Sequence, residues 1–185
     1  IAREGVRLET RIKEILEIVK AGPVNVEAIG KTARQLVADA KILAAWSPQV
    51  VVKIPMNNEG LKAIKELRSL GIKTNATLVF SASQCILAAQ AGANYISPFL
   101  GRLEDQGESP SQLLTDIKAI WRMHNIDTKI IAASIRKPEH AVLSAVLGAH
   151  IATIPYPVLS DMLRHPLTDA GIKRFEADWE KANLI

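Results

Sequence analysis

The chain has 185 residues, 48% of them hydrophobic and 23% charged, enough apolar material for one globular domain with a sizeable core. The net charge of +4 comes from Lys and Arg scattered among Asp and Glu, with no basic block interleaved with aromatics; this argues against nucleic acid as a partner and suits an anionic metabolite. A lone cysteine, Cys85, excludes an intrachain disulfide framework and fits a reducing compartment, no apolar run is long enough to span a membrane, and no signal peptide is visible.

The first predicted element is a helix, roughly Leu8–Lys20, with no strand before it. Short β-rich apolar runs follow at Val24–Glu27 and Val50–Ile54. The stretch NEGLKAIKELRSLG then reads as a helix, with Leu61, Ile64 and Leu67 recurring every third residue and a cap at Gly71. A strand at Lys73–Val79 leads into SASQCILAAQAG, a helical stretch in which Cys85 reads as a small buried hydrophobe. After a strand at Tyr95–Phe99, SPSQLLTDIKAIWRMHN starts with an N-cap-like Ser109-Pro110 pair. A strand at Thr128–Ser134, a proline-initiated helix KPEHAVLSAVLGA and a strand at His150–Ile154 come next. A last helix, about 167–183, carries Phe175 and Trp179, suited to anchoring a closing or exchanged helix.

Strand then helix, repeated with short loops, predicts βαβ units and a parallel sheet in a single α/β domain over residues 1–185. Val50–Val52 and Ile130–Ala133 are apolar without alternation, as strands covered on both faces should be. Six strands are two short of the eight in a closed (β/α)8 TIM barrel. Either the sheet is open, or the first strands of a barrel are absent from the chain.

Lys53 is the most informative residue. It follows three valines in VVVKIP, at the C-terminal end of a strand, where catalysis occurs in β/α barrels. Burial there would disfavour its ammonium and lower its pKa, as a Schiff-base nucleophile requires. The plain alternative is a lysine snorkelling from a strand end into solvent. Other polar residues sit at the ends of other strands: Glu27, Asn75 with Thr77, Ser97 with Phe99 on its face, Arg102, Ser134 and Arg136. Thr77 and Ser97 could simply fill barrel layers, and Arg102 could pair with Glu104 or Asp105. Their convergence at corresponding strand ends is what an active site on this fold needs. His124, His140, His150 and His165 show no ligand spacing, so no metal is expected.

VVKIP, NNEGLKAIKEL, GIKTNATLVFSASQ, AGANYISPFLGRLEDQG, KIIAASIRKPEHA and GAHIATIPYPVLSDML, in this order and spacing, resemble the small transaldolases and the related fructose-6-phosphate aldolases over nearly the whole chain. The resemblance implies a class I aldolase barrel without metal or organic cofactor. By motif, Lys53 resembles the Schiff-base lysine, and Glu27 and Thr77 the pair that holds a proton-shuttling water. Asn75 and Ser97 resemble hydrogen-bonding partners of the bound three-carbon unit. Arg102, Ser134 and Arg136 resemble the phosphate site, where a guanidinium can bind phosphate oxygens bidentately.

Two positions divide the subfamilies. Glu27 and Phe99 are the residue types usual in transaldolases, where the aldolases have Gln and Tyr. Lacking a phenol at position 99 removes one group able to handle a proton, which favours transfer over release. The resemblance therefore implies a cytoplasmic transaldolase of the pentose phosphate pathway. It would move a dihydroxyacetone unit from sedoheptulose 7-phosphate or fructose 6-phosphate to glyceraldehyde 3-phosphate or erythrose 4-phosphate. Fructose-6-phosphate aldolase activity is the alternative. The family's two leading strands, with motifs like LDT and TTNPS, have no counterpart here. With them goes an acidic residue expected to act as acid or base, so the chain is expected to be a piece of a longer one; as it stands, it could be a non-catalytic phosphosugar-binding remnant. Pentamers or decamers are implied, the last helix packing on a neighbour, unless Phe175 and Trp179 pack on their own barrel.

Overall fold

All six expected strands form one mixed-length parallel array in which each strand pairs only with its neighbours in sequence. The computed structural model describes residues 5–182. The strands are β1 (Val24–Glu27), β2 (Val50–Pro55), β3 (Thr74–Val79), β4 (Tyr95–Pro98), β5 (Lys129–Ala132) and β6 (Ile151–Ala152), in the order β1-β2-β3-β4-β5-β6. Every pairing is parallel. The helices are α1 (Leu8–Ile18), α2 (Ala33–Ala44), α3 (Asn58–Ser69), α4 (Ala82–Ala91), α5 (Leu100–Asp105), α6 (Pro110–His124), α7 (Pro138–Val146), α8 (Tyr156–Met162) and α9 (Pro166–Ala182).

The local signals act as the sequence implies. Asn57, Ser81 and Ser109 cap α3, α4 and α6 by accepting from backbone N–H groups three residues on. Thr32 and Gln35 make a capping box on α2. Gly71, at φ 72°, ends α3, with its own N–H and that of Ile72 bonding back to Arg68 and Leu67. Gly60, in the first turn of α3, lies against the Pro55 carbonyl so closely that a Cβ would collide with it. This close approach lets the chain turn from β2 straight into α3.

Alternate residues on the strands serve two faces. Val50, Val52, Ile54, Ala76, Ile96 and Ile130 join Leu36, Ile64, Leu67, Leu114 and Ile117 in one apolar cluster between sheet and helices. Asn25, Glu27, Val51, Lys53 and Asn75 alternate with that set and face the other way. The inner face is concave: side chains on β1 and β3, two strands apart, are in hydrogen-bond contact across β2. In a flat sheet, their backbones would stand about 9–10 Å apart, twice the usual strand spacing. The six strands thus form part of a barrel. Among the described residues, β1 and β6 each have one neighbour.

Several boundaries differ from expectation for local reasons. β5 ends at Ala132, because Ser134 turns the chain with a left-handed φ of 57°. β4 ends at Pro98, and Phe99 becomes the residue before α5, a short helix that the sequence pattern does not announce. β6 is two residues long, and α1 stops at Ile18. Helix α9 matches the last expected helix to within a residue, its predicted end at 183 lying outside the described residues. It buries none of its side chains: Phe175 and Trp179 are exposed, so neither packs on its own barrel.

Candidate active site at the strand ends

Lys53 and Glu27 are register partners on β2 and β1, and their side chains meet, with Lys53 Nζ 3.3 Å from Glu27 Oε2. Parallel pairing in register puts them side by side on the inner face at the C-terminal end of both strands. Lys53 is 26% exposed and Glu27 51%. The lysine side chain is thus largely but not fully covered, in line with the partial burial its apolar strand predicts.

On the other side of Lys53, its register partner is Asn75, only 1% exposed. Asn75 Oδ1 accepts from Ser97 Oγ at 3.0 Å, and Asn75 Nδ2 donates to Asn25 Oδ1 at 2.9 Å. Two expected site residues are therefore directly bonded, and a third side chain joins them. Asn25 was not among the sequence candidates. The signal was available: in VNVE it precedes Glu27 by two and shares its face.

Thr77 is buried, and its Oγ1 has no hydrogen-bond partner among the described residues. Buried hydroxyls are nearly always paired, so Thr77 calls for an explanation, as does Thr74, whose Oγ1 is likewise buried without a partner among the described residues. Beside Thr77 the β3–β4 register breaks between Ala76 and Val79, and Leu78 takes a φ of 60°. A bulge of this kind bends a strand and re-aims the side chains beside it.

Phe99, Arg102, Ser134 and Arg136 gather around α5. The Arg102 guanidinium lies over the Phe99 ring, 5.0 Å from its centroid, and Phe80 meets the same ring in an edge-on arrangement with centroids 5.7 Å apart. The backbone N–H groups of Leu100 and Gly101 donate to the carbonyls of Ala133 and Ser134. A Cβ on Gly101 would collide with the Ser134 carbonyl, so a glycine is needed for the loop after β5 to lie against α5. Arg136 Nη1 pairs with Asp105 at 2.6 Å. Glu104 takes Lys137 Nζ at 2.8 Å and His140 Nε2 at 3.1 Å, and Lys137 chiefly holds its carboxyl below the usual range. His140 is buried, and its Nδ1 accepts a long bond, 3.4 Å, from the Arg136 backbone N–H. This leaves the ring proton on Nε2 for Glu104. Arg102, expected to pair with Glu104 or Asp105 if merely structural, stacks on Phe99 instead; those carboxylates go to Lys137, His140 and Arg136.

The expected residues thus fall into three contact groups: Glu27 with Lys53, Asn75 with Ser97, and Phe99 with Arg102, while Arg136 engages Asp105 and Thr77 bonds to none of them. A concavity of about 660 Å³ lies at the opposite ends of the strands, lined by Arg68, Lys73, Asn94, Asp127 and Lys129 among others, and holds none of them. Its charged side chains are solvated and lack the amine–carboxylate pair present at the C-terminal ends. Among the described residues no cluster of His, Cys, Asp or Glu is arranged for a metal ion. Cys85 is fully buried, and burial pushes its thiol up to about 12. No helix among the described residues is long and apolar enough to cross a membrane.

Comparison with known proteins matches residues 8–184 to the family described as Transaldolase/Fructose-6-phosphate aldolase. The chain is 52% identical over 181 residues to probable transaldolases of Pelotomaculum thermopropionicum and Bacillus cereus, covering 98% of this chain and 84% of each relative. It is 50% identical over 182 residues to a probable transaldolase of Exiguobacterium sp., with the same coverage.

Proposed function

Since the chain belongs to the transaldolase/fructose-6-phosphate aldolase family, we propose that it works as a transaldolase, with Lys53 as the Schiff-base nucleophile. The observation that carries this reading is the placement of Lys53: on the inner face, at a strand's C-terminal end, with Glu27 3.3 Å from Nζ and Asn75 in register beside it. The amine adds to the ketose carbonyl, and loss of water leaves a protonated imine. That imine takes up the electron pair when the neighbouring carbon–carbon bond breaks, releasing an aldose and leaving an enamine on Lys53. The enamine attacks an acceptor aldehyde, and hydrolysis frees the new ketose and the amine.

Glu27 and Thr77 fit the handling of the water these steps need. A carboxylate beside the amine can relay its protons, and the unpaired, buried Thr77 hydroxyl suits a water-holding role. Asn75 and Ser97 supply hydrogen bonds for a bound dihydroxyacetone unit. Arg136, Arg102 and Ser134 serve the phosphate of the sugar, with Arg136 exchanging Asp105 for the ligand. The substrates are a ketose phosphate donor and an aldose phosphate acceptor. The barrel in this reading is the eight-stranded (β/α)8 form, two strands more than the six described. The exposed apolar side chains of α9, Phe175 and Trp179 included, support packing of that helix on a neighbouring subunit in a homo-oligomer, which light scattering would measure.

Reduction with borohydride in the presence of the ketose donor, followed by peptide mass spectrometry, should find the adduct on Lys53; an active preparation whose Lys53 stays unlabelled would sink the assignment. The other activity in the family's description, that of a fructose-6-phosphate aldolase, gives a second reading. It is tested by dihydroxyacetone release without acceptor, and release faster than transfer would favour it over the transaldolase that Glu27 and Phe99 point to.

A further inference from the structure

The bond between Asn75 and Asn25 has an unusual course. In the strand register, Asn25 lies opposite Val51, whereas Asn75 lies opposite Lys53. A side-chain bond from one to the other must therefore cross β2 diagonally, between Val51 and Lys53, on the concave face. Val51, just below the crossing, is 1% exposed although it lies outside the apolar cluster that faces the helices. The three polar side chains form a directed chain: Ser97 Oγ donates to Asn75 Oδ1, and Asn75 Nδ2 donates to Asn25 Oδ1. Both ends of the Asn75 carboxamide are thus held, one from β4 and one from β1. These two bonds leave one Nδ2 proton and one Oδ1 lone pair of the buried amide unused.

We propose that Asn25 is a positioning residue for the reaction: by accepting from Asn75 beneath Lys53, it fixes the Asn75 amide and builds the polar floor on which the lysine stem rests. This rests on the reading of Lys53 as the nucleophile and extends it to a residue outside that set. Without Asn25, the Asn75 amide is held at its oxygen end alone and turns about its last torsion, which is broad and soft for an amide. The donor aimed at the bound three-carbon unit then loses its direction. A carboxamide suits position 25 because it reaches across a whole strand and offers a neutral acceptor; a carboxylate already stands at Glu27 to serve the amine.

A double-mutant cycle tests this. Asn25→Leu, Asn75→Ala and the double variant are compared with the wild type for kcat, KM and the rate at which borohydride traps donor on Lys53. Asn25→Leu should lower kcat/KM roughly tenfold, a factor within the range of coupled neighbours, with the thermal midpoint little changed. If Asn25 acts through Asn75, the double variant is no worse than Asn75→Ala alone. Asn25→Asp keeps an acceptor oxygen at the same reach and should retain most of the wild-type rate. Losses that multiply in the double variant, an Asn25→Leu protein as active as wild type, or an Asp variant as poor as the Leu one would each overturn the proposal. Should Asn25→Leu fail to fold, Asn25→Ala takes its place in the cycle. Trapping in the wild type is measured first: its absence overturns the Lys53 reading and this one with it, whereas normal trapping with multiplying losses overturns this one alone.

Discussion

Val52 and Lys53 are consecutive on one strand, yet they belong to different kinds of structure. Val52 faces outward into a cluster that includes Leu36, Ile64 and Leu67, where fit depends on volume and contact. Lys53 faces inward, where each polar group answers to a particular atom: Glu27 Oε2 for the amine, Asn25 and Ser97 for the two ends of Asn75. The outer face is held by non-directional forces and tolerates exchange of similar apolar side chains. The inner face is directional, so it sets geometry while adding little to cohesion. A period-two strand lets one stretch of six residues do both.

The contrast breaks most sharply at its centre. Lys53→Arg should cut transfer on the order of 10⁴-fold, as loss of a covalent nucleophile does, while the unfolding midpoint stays near wild type. A large loss of stability would show that the inner face also holds the fold. On the outer face, Ile54→Ala should cost about 2–5 kcal/mol in denaturant unfolding, with kcat per folded molecule unchanged. A smaller effect is expected where the two faces give way to loops: Arg136→Gln should raise KM for a phosphorylated donor by roughly 10–100-fold, the worth of a charge-assisted bond, and leave KM for an unphosphorylated one in place. The mildest test is Cys85, buried on α4. Native protein should resist a thiol reagent at pH 8 and react fully once unfolded. Because burial raises this thiol from 9.0 to about 12, its contribution to stability is complete below pH 9 and is lost as pH climbs toward 12, where the unfolded chain alone gives up the proton. Stability that rises over that interval would contradict it.

How much could be read from the sequence follows the same division. The strands, and helices α3, α4, α6 and α7, were legible because periodicity and capping are local signals. That Glu27 and Lys53 both stand at strand ends was legible, but their contact shows only in the register of β1 on β2. Asn25 shares the face of Glu27 in VNVE, a signal the sequence does hold, but what it reaches shows only in the register across β2. Ser134 read as a strand residue, since nothing in IIAASIR encodes its left-handed backbone, which is imposed by the hydrogen bond from Gly101 to its carbonyl. The partners of the carboxylates near α5 were left open for a similar reason: which acid meets which base depends on how α5 docks on the loop after β5.

The order of the sheet has a consequence for how the molecule comes into being. Because each strand lies beside the one synthesised before it, a chain leaving the ribosome always finds its next pairing edge already made. Assembly can run as a one-way addition of strand–helix units, each new unit joining the edge left by the one before it. Lys53 and Glu27 would come together as soon as β2 is laid beside β1, while Arg136 follows β5, three strands later. The amine's neighbourhood is therefore built early in the life of the chain, and the residues that grip the substrate's far end are added to a frame that already exists.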